Sequence, residues 1–277
     1  MTKKLLILFY FLAFTSFQKK LSGTDLVYAS SQNKSAKKYQ ASLQQKVTAP
    51  QPMMNIHIKL QFEGLPIHLN EKYPNQYERD TFSISKFRFY LGRLSAIYPD
   101  STKNKKNVSG YYLIDLSDSS SLHIRLPVSA GSCKGLEFQI GIDSLDQLQG
   151  AQTGVLDPIR GMFWTWNSGY TNLKMEGASS ASAEPAHQFA YHIGGTRDPY
   201  NTVFKLDMIT TDHILTQISK GQEVNMELRF ELALFFQKLE PLHLSEHPVC
   251  TTPGDQAKNI SWAFLYSFRD FGTDIHP

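Results

Sequence analysis

The sequence is short of cysteine, of long apolar runs and of charge imbalance, and each shortage removes a class of protein. There are 2 cysteines in 277 residues. Cys133 and Cys250 lie too far apart in sequence for a CxxC redox motif or a zinc knuckle. A single disulfide between them is the most this pair allows, and only in an oxidising compartment. The formal net charge is +3. Lys19, Lys20, Lys34, Lys37, Lys38 and Lys46 all precede residue 50, so the rest of the chain is close to balance. No nucleic-acid footprint remains. The apolar run from Leu5 to Phe17 is too short to span a bilayer as a stable helix. There is no GxSxG elbow, no Walker loop, no GxGxxG after a strand and no HExxH pair. With no acid–base or nucleophile constellation in view, the chain reads as a non-enzyme.

What is present begins with a targeting signal. Lys3 and Lys4 stand before the Leu5–Phe17 run, as in the charged and apolar regions of a secretory signal peptide. Residues 1–17 are read as that peptide. Cleavage fits the end of the run, or as late as residue 29, where Val27-Tyr28-Ala29 has the small-residue form. No cysteine follows the run, which argues against a lipoprotein anchor. After signal removal no integral membrane span is expected, and the mature chain is placed in the periplasm, secreted or at the cell surface. Residues 18–51 are rich in Ser, Gln, Lys and Ala without apolar periodicity, and read as a disordered linker ending at Pro50 and Pro52. Residues 52–277 form the folded domain.

That domain has strand periodicity nearly throughout. From Met54 to Phe62 apolar and polar residues alternate strictly, which predicts a half-buried strand. Leu122 to Val128 does the same, as do Leu136, Phe138, Ile140 and Ile142. The longest alternation is Val224, Met226, Leu228, Phe230, Leu232, Leu234 and Phe236. Phe82 and Ile84 are in one phase and Phe87, Phe89 and Leu91 in the other, so a bulge or short turn is expected near Lys86. Asp100 to Gly110 reads as a hairpin loop, and Gly177 to Pro185 as a loop of small residues. Between Pro253 and Tyr266, Ala257, Ile260, Ala263 and Phe264 have helical spacing. The expected fold class is all-β, an antiparallel β-sandwich-like domain with a short C-terminal helix.

Three groups of residues carry potential chemistry. Trp164, Trp166 and Tyr170 lie in one aromatic stretch, and two of the 3 tryptophans are there. Such residues form either a packed layer or a stacking or redox-active wall. The 9 histidines are scattered. His192 takes the face opposite Phe189, Tyr191 and Ile193, and His57 sits on the polar face of the first strand. Neutral imidazole is a common ligand for borderline metals. Asp143, Asp146 and Asp157 make an oxygen-rich stretch that could hold calcium, although the spacing is not that of an EF-hand.

In order along the chain, several segments resemble the MbnP-like copper-binding family, in its Bacteroidetes-type branch. They are Phe82–Leu91, Leu136–Ser144, Gly150–Pro158, Gly161–Tyr170, Lys174–Gly177 and Tyr191–Gly195, followed by Leu244–Pro248 and Pro253-Gly254. The resemblance implies an exported β-rich domain that binds copper, in some members beside a tryptophan oxidised to kynurenine. It implies a binder rather than a catalyst, with a di-haem peroxidase-like protein and an outer-membrane transporter as partners. The family histidine matches His192. Where the better-studied branch has an Asn-His, this chain has Asp143-Ser144-Leu145-Asp146. A metal site would then use His192, with His57 as a second ligand. The alternative is a metal-free interaction module of the same fold, holding a protein or glycan through the Trp164 and Trp166 region.

Overall fold

The computed structural model describes residues 50–75, 79–100, 109–164, 169–209, 216–237 and 243–269. The stretch read as a signal peptide, nearly all of the stretch read as a linker, and Trp166 fall outside these residues.

The chain opens with β1 (Met53–Phe62), β2 (Leu65–Pro66), β3 (Lys72–Asn75) and the long β4 (Asp80–Ile97). Next come β5 (Tyr111–Asp115), β6 (His123–Pro127), β7 (Gly131–Cys133), β8 (Gly135–Ile140) and a short helix α1 (Ser144–Leu148). The middle holds β9 (Phe163–Trp164), β10 (Gly169–Ser179), β11 (Gln188–Gly194), β12 (Phe204–Ile209) and β13 (Thr216–Ile218). The end comprises β14 (Glu223–Glu231), α2 (Leu232–Gln237), β15 (Val249–Cys250), α3 (Asp255–Tyr266) and β16 (Phe268–Arg269).

Two sheets face each other. One has the order β16-β14-β1-β2, with β6 beside β1. The other runs β12-β8-β4-β10-β11-β15, with β3 and β5 on β4 and β9 on β10. In β1 the even residues Met54 to Phe62 are buried and the odd ones point outward, as period two requires. Their inner faces meet through rings. Phe87 of β4 lies 5.3 Å from Phe230 of β14, and Phe82 lies 6.0 Å from Phe62 of β1. Phe264 of α3 enters the same cluster, 5.0 Å from Phe89 and 5.0 Å from Phe230. Most of these rings meet tilted or edge to face, the arrangement favoured by their quadrupoles.

The β-sandwich and its C-terminal helix are as expected, with refinements. Most pairs are antiparallel, but β1–β14 and β11–β15 are parallel. The long alternation is a strand only to Glu231. Beyond it Leu232, Phe235 and Phe236 are buried at spacings of a helix, forming α2. The phase slip is a β-bulge: Glu176 pairs with Lys86 and Gly177 with Ile84, so Ser85 is the extra residue. Gly177, Ala178 and Ser179 belong to β10 rather than to a loop, all paired with β4 and the first two also with β11, and at Gly177 the chain packs too closely for a side chain. β4 and β5 pair antiparallel, while most of the loop expected at Asp100 to Gly110 lies outside the described residues.

The cysteine pairing is corrected: both thiols are free and buried. Cys133 ends β7, two residues before β8 begins, whereas Cys250 lies in β15, four strand positions from β8 in the sheet. At about 4.8 Å per strand that is on the order of 19 Å, against a Cα separation of about 7 Å at most for a disulfide. Among the described residues no helix is long and apolar enough to cross a membrane.

Candidate functional site

His192 sits on the outward face of β11, with Phe189, Tyr191 and Ile193 buried on the other side. It lies directly opposite Lys174 in β10. Two residues along β10, Glu176 reaches back so that its Oε1 is 2.8 Å from His192 Nε2. The other oxygen of Glu176 accepts from Lys86 Nζ at 2.8 Å. Burial alone would push the Glu176 carboxyl upward, but hydrogen bonds from Lys86 and His192 outweigh it and hold the group below the usual range. Glu176 is therefore ionised and can only accept, so His192 Nε2 carries the proton. Burial also depresses the basicity of His192. The Glu176 contact opposes that, while the Lys174 charge reinforces it. The contact is a hydrogen bond from a neutral imidazole rather than an ion pair. Nδ1 keeps its lone pair.

Both shifts have the same consequence for pH. A folded-state pKa below the unfolded one gives stability that is complete at high pH and lost as pH falls. The His192 share starts to go as pH drops through 6.5, its ordinary value, and the Glu176 share as pH drops through 4.5. The wild type should therefore lose melting temperature between pH 7 and 5 more steeply than His192→Gln. Parallel profiles for the two proteins would show that His192 is not coupled to folding.

The aromatic stretch packs beside this strand. Trp164 of β9 is buried at 7% exposure. Its six-membered ring lies close over Gly194, where an added Cβ would be 2.8 Å from Cζ3. The glycine after His192-Ile193 is thus a floor for Trp164. Tyr170 is structural: its hydroxyl donates to Leu156 O at 2.8 Å and accepts from Gln152 N at 3.0 Å. Its ring meets Phe163 at 5.0 Å. Trp164, Tyr170, Leu148 and Tyr200 help line a cavity of about 380 Å³, bounded also by Arg197 and Asp198.

His57 and His192 do not come together. His57 is outward on β1 in one sheet and His192 outward on β11 in the other, so the core lies between them. His57 instead faces His123 of β6, with Nδ1 to Nδ1 at 2.9 Å and the rings at 83°. Sequence reasoning missed His123. It stands at an outward position of an alternating segment, but only the register of β6 on β1 makes it a partner. A second spacing was also passed over: His243 and His247 are one turn apart, with His247 N donating to His243 O at 2.8 Å.

The calcium expectation is corrected by Arg93. Its Nη2 lies 2.7 Å from Asp143 and 2.8 Å from Asp146, and Tyr111 donates to Asp146 at 2.7 Å. Asp143 also caps α1, and Asp157 accepts from Ile159 N. Asp143 and Asp146 already hold a cation that the chain supplies, and Asp157 is used in a local turn. Among the described residues no cluster of three or more His, Cys, Asp or Glu could hold a metal.

Comparison with known proteins bears on this arrangement. A search of curated protein sequences finds no match. Among solved structures, MbnP from Methylosinus trichosporium aligns with a TM-score of 0.47 and 11% identity, over 72% of this chain and 82% of that one. A sequence model of the MbnP family matches residues 51–252. That match runs from β1 through β15 and takes in His57, His123, Trp164 and His192, and the chain belongs to the MbnP family.

Proposed function

We propose that this protein is an exported, non-catalytic copper-binding protein that sequesters or delivers the metal. The observation that carries the reading is the Glu176–His192 contact in a chain of this family. A metal-ligating histidine usually has its far ring nitrogen fixed by a carboxylate or carbonyl. Glu176 does that for Nε2 and leaves Nδ1 with a lone pair for a metal that accepts nitrogen ligands. His192 supplies one nitrogen. Lys86 and Lys174 stand close by, so an ion held by electrostatics alone would be disfavoured here. Copper is the cargo in this reading, and the work of the chain is to position an imidazole for it.

Copper added to the mature protein should stay bound through gel filtration. His192→Ala should release a stoichiometric share of it. Glu176→Gln should weaken retention by about 10–100-fold, because it removes the partner that orients the ring. Absence of copper from the wild type would end the reading. Intact mass would show oxygen addition if Trp164 is oxidised. Export and partnership with a di-haem peroxidase-like protein and an outer-membrane transporter belong to the same proposal, and co-purification of such proteins from cells tests it.

One observation favours a second reading, a metal-free module that holds a protein or glycan. The cavity beside Trp164 has aromatic walls and a polar rim of Arg197 and Asp198, the mixture found at small-ligand sites. Purified protein without metal but with a bound partner would select it.

A further inference from the structure

We infer that the His57–His123 pair is a second metal site, a two-imidazole chelate for a cupric ion on the outer face of the β1–β6–β14 sheet. It is independent of the reading at His192, from which the core separates it.

The geometry is the first argument. Bonds of about 2.0 Å from a metal to two imidazole nitrogens at a right angle put those nitrogens about 2.8 Å apart. The two Nδ1 atoms are 2.9 Å apart and the rings are nearly perpendicular. A hydrogen bond between two Nδ1 atoms needs one to donate and the other to accept. When a metal binds, the donating ring shifts its proton from Nδ1 to Nε2, so that both Nδ1 lone pairs are free for the ion. Small rotations of the rings suffice, since the strands already hold the residues directly opposite each other.

The surroundings give the second argument. Glu227 lies across from His57 on β14, but Arg229 holds it at 2.7 Å and Lys59 at 3.6 Å. Glu223 is paired with Arg125 and also accepts from Asn55. Among the described residues, the two carboxylates placed beside the pair are thus both committed to cations. Calcium and magnesium require several oxygen ligands and find none here. Two neutral nitrogens with water in the remaining positions suit tetragonal copper, and among divalent first-row ions copper binds such donors most tightly. His123 is exposed, so the ion enters and leaves from solvent without any movement of the core.

The test is titration of the full mature protein with cupric ion alone, followed by electron paramagnetic resonance and calorimetry. Wild type should show a tetragonal signal with nitrogen hyperfine structure. His57→Ala and His123→Ala should each weaken this component at least tenfold, while His192→Ala leaves it intact. Both residues are on a solvent-facing surface, and circular dichroism would confirm that the variants fold. Wild-type affinity in His57→Ala and His123→Ala overturns this inference, and so does a wild type that takes up no cupric ion. Loss of all copper in His192→Ala alone also overturns it, while upholding the reading at His192. Copper lost with the pair but untouched by His192→Ala upholds the inference and sinks that reading instead.

Discussion

Phe230→Ala is expected to lower the unfolding free energy by about 3–5 kcal/mol. Phe230 has no exposed surface. Its ring lies 5.3 Å from Phe87, 5.0 Å from Phe264 and 5.4 Å from Phe268. It therefore joins both sheets and α3 at one point. Truncation removes the transfer free energy of a benzyl group and leaves a cavity walled by three large rings that collapse only partly. Domains are commonly stable by only about 5–15 kcal/mol, so the variant should be marginal at body temperature. Urea denaturation of the two proteins measures the difference. A loss under about 1 kcal/mol would show that the cluster refills the space.

Gly177→Ala is the second large effect, and it acts through the backbone. Gly177 lies in β10 between β4 and β11. A Cβ there would sit 2.0 Å from Ser83 O and 2.6 Å from the Phe189 ring. The ring can turn, but the carbonyl belongs to the β4 backbone and cannot move without spreading the sheet. A loss of about 3 kcal/mol is expected, toward the upper end for overpacking. For a domain of this size that corresponds to a fall of about 6–12 °C in melting temperature. Gly110→Ala is the control, since nothing lies within 4 Å of its added Cβ. Equal melting temperatures for the two variants would show that the sheet widens at Gly177 at little cost.

What the sequence revealed depended on the range of the interaction. β1, β11 and α3 were legible because their buried faces repeat every two or every three to four residues. The bulge at Ser85 was legible too, as a change of phase within one strand. Phe236 was misread as strand, because Leu232, Leu234 and Phe236 fit period two as readily as Leu232, Phe235 and Phe236 fit a helix. Length and end signals arbitrate such cases poorly over six residues. Pairing was not legible at all. Nothing local in Met53–Phe62 says that it runs parallel to β14, or that β6 lies on its other side. The candidate sites inherit this limit. His192 with its buried neighbours was visible in seven consecutive residues, whereas its Glu176 partner comes from a different strand. His123 needed a register between strands more than sixty positions apart. Asp143 and Asp146 looked like a cation site because Arg93, which occupies them, enters from β4.

The parallel pairing of β1 with β14 also governs the order in which the molecule can assemble. Asn55 and Asn225 are neighbours in the sheet although 170 residues apart in the chain. A polypeptide emerging from its N-terminus presents Ile56, Ile58 and Leu60 long before Met226, Leu228 and Phe230 exist to cover them. Closing so long a loop is entropically unfavourable and slow. For most of its synthesis the chain thus carries an open, apolar strand that can stick to others. Folding of this domain should accordingly be late, all at once and sensitive to loss of residues near its C-terminus, with holding chaperones acting on the N-terminal half.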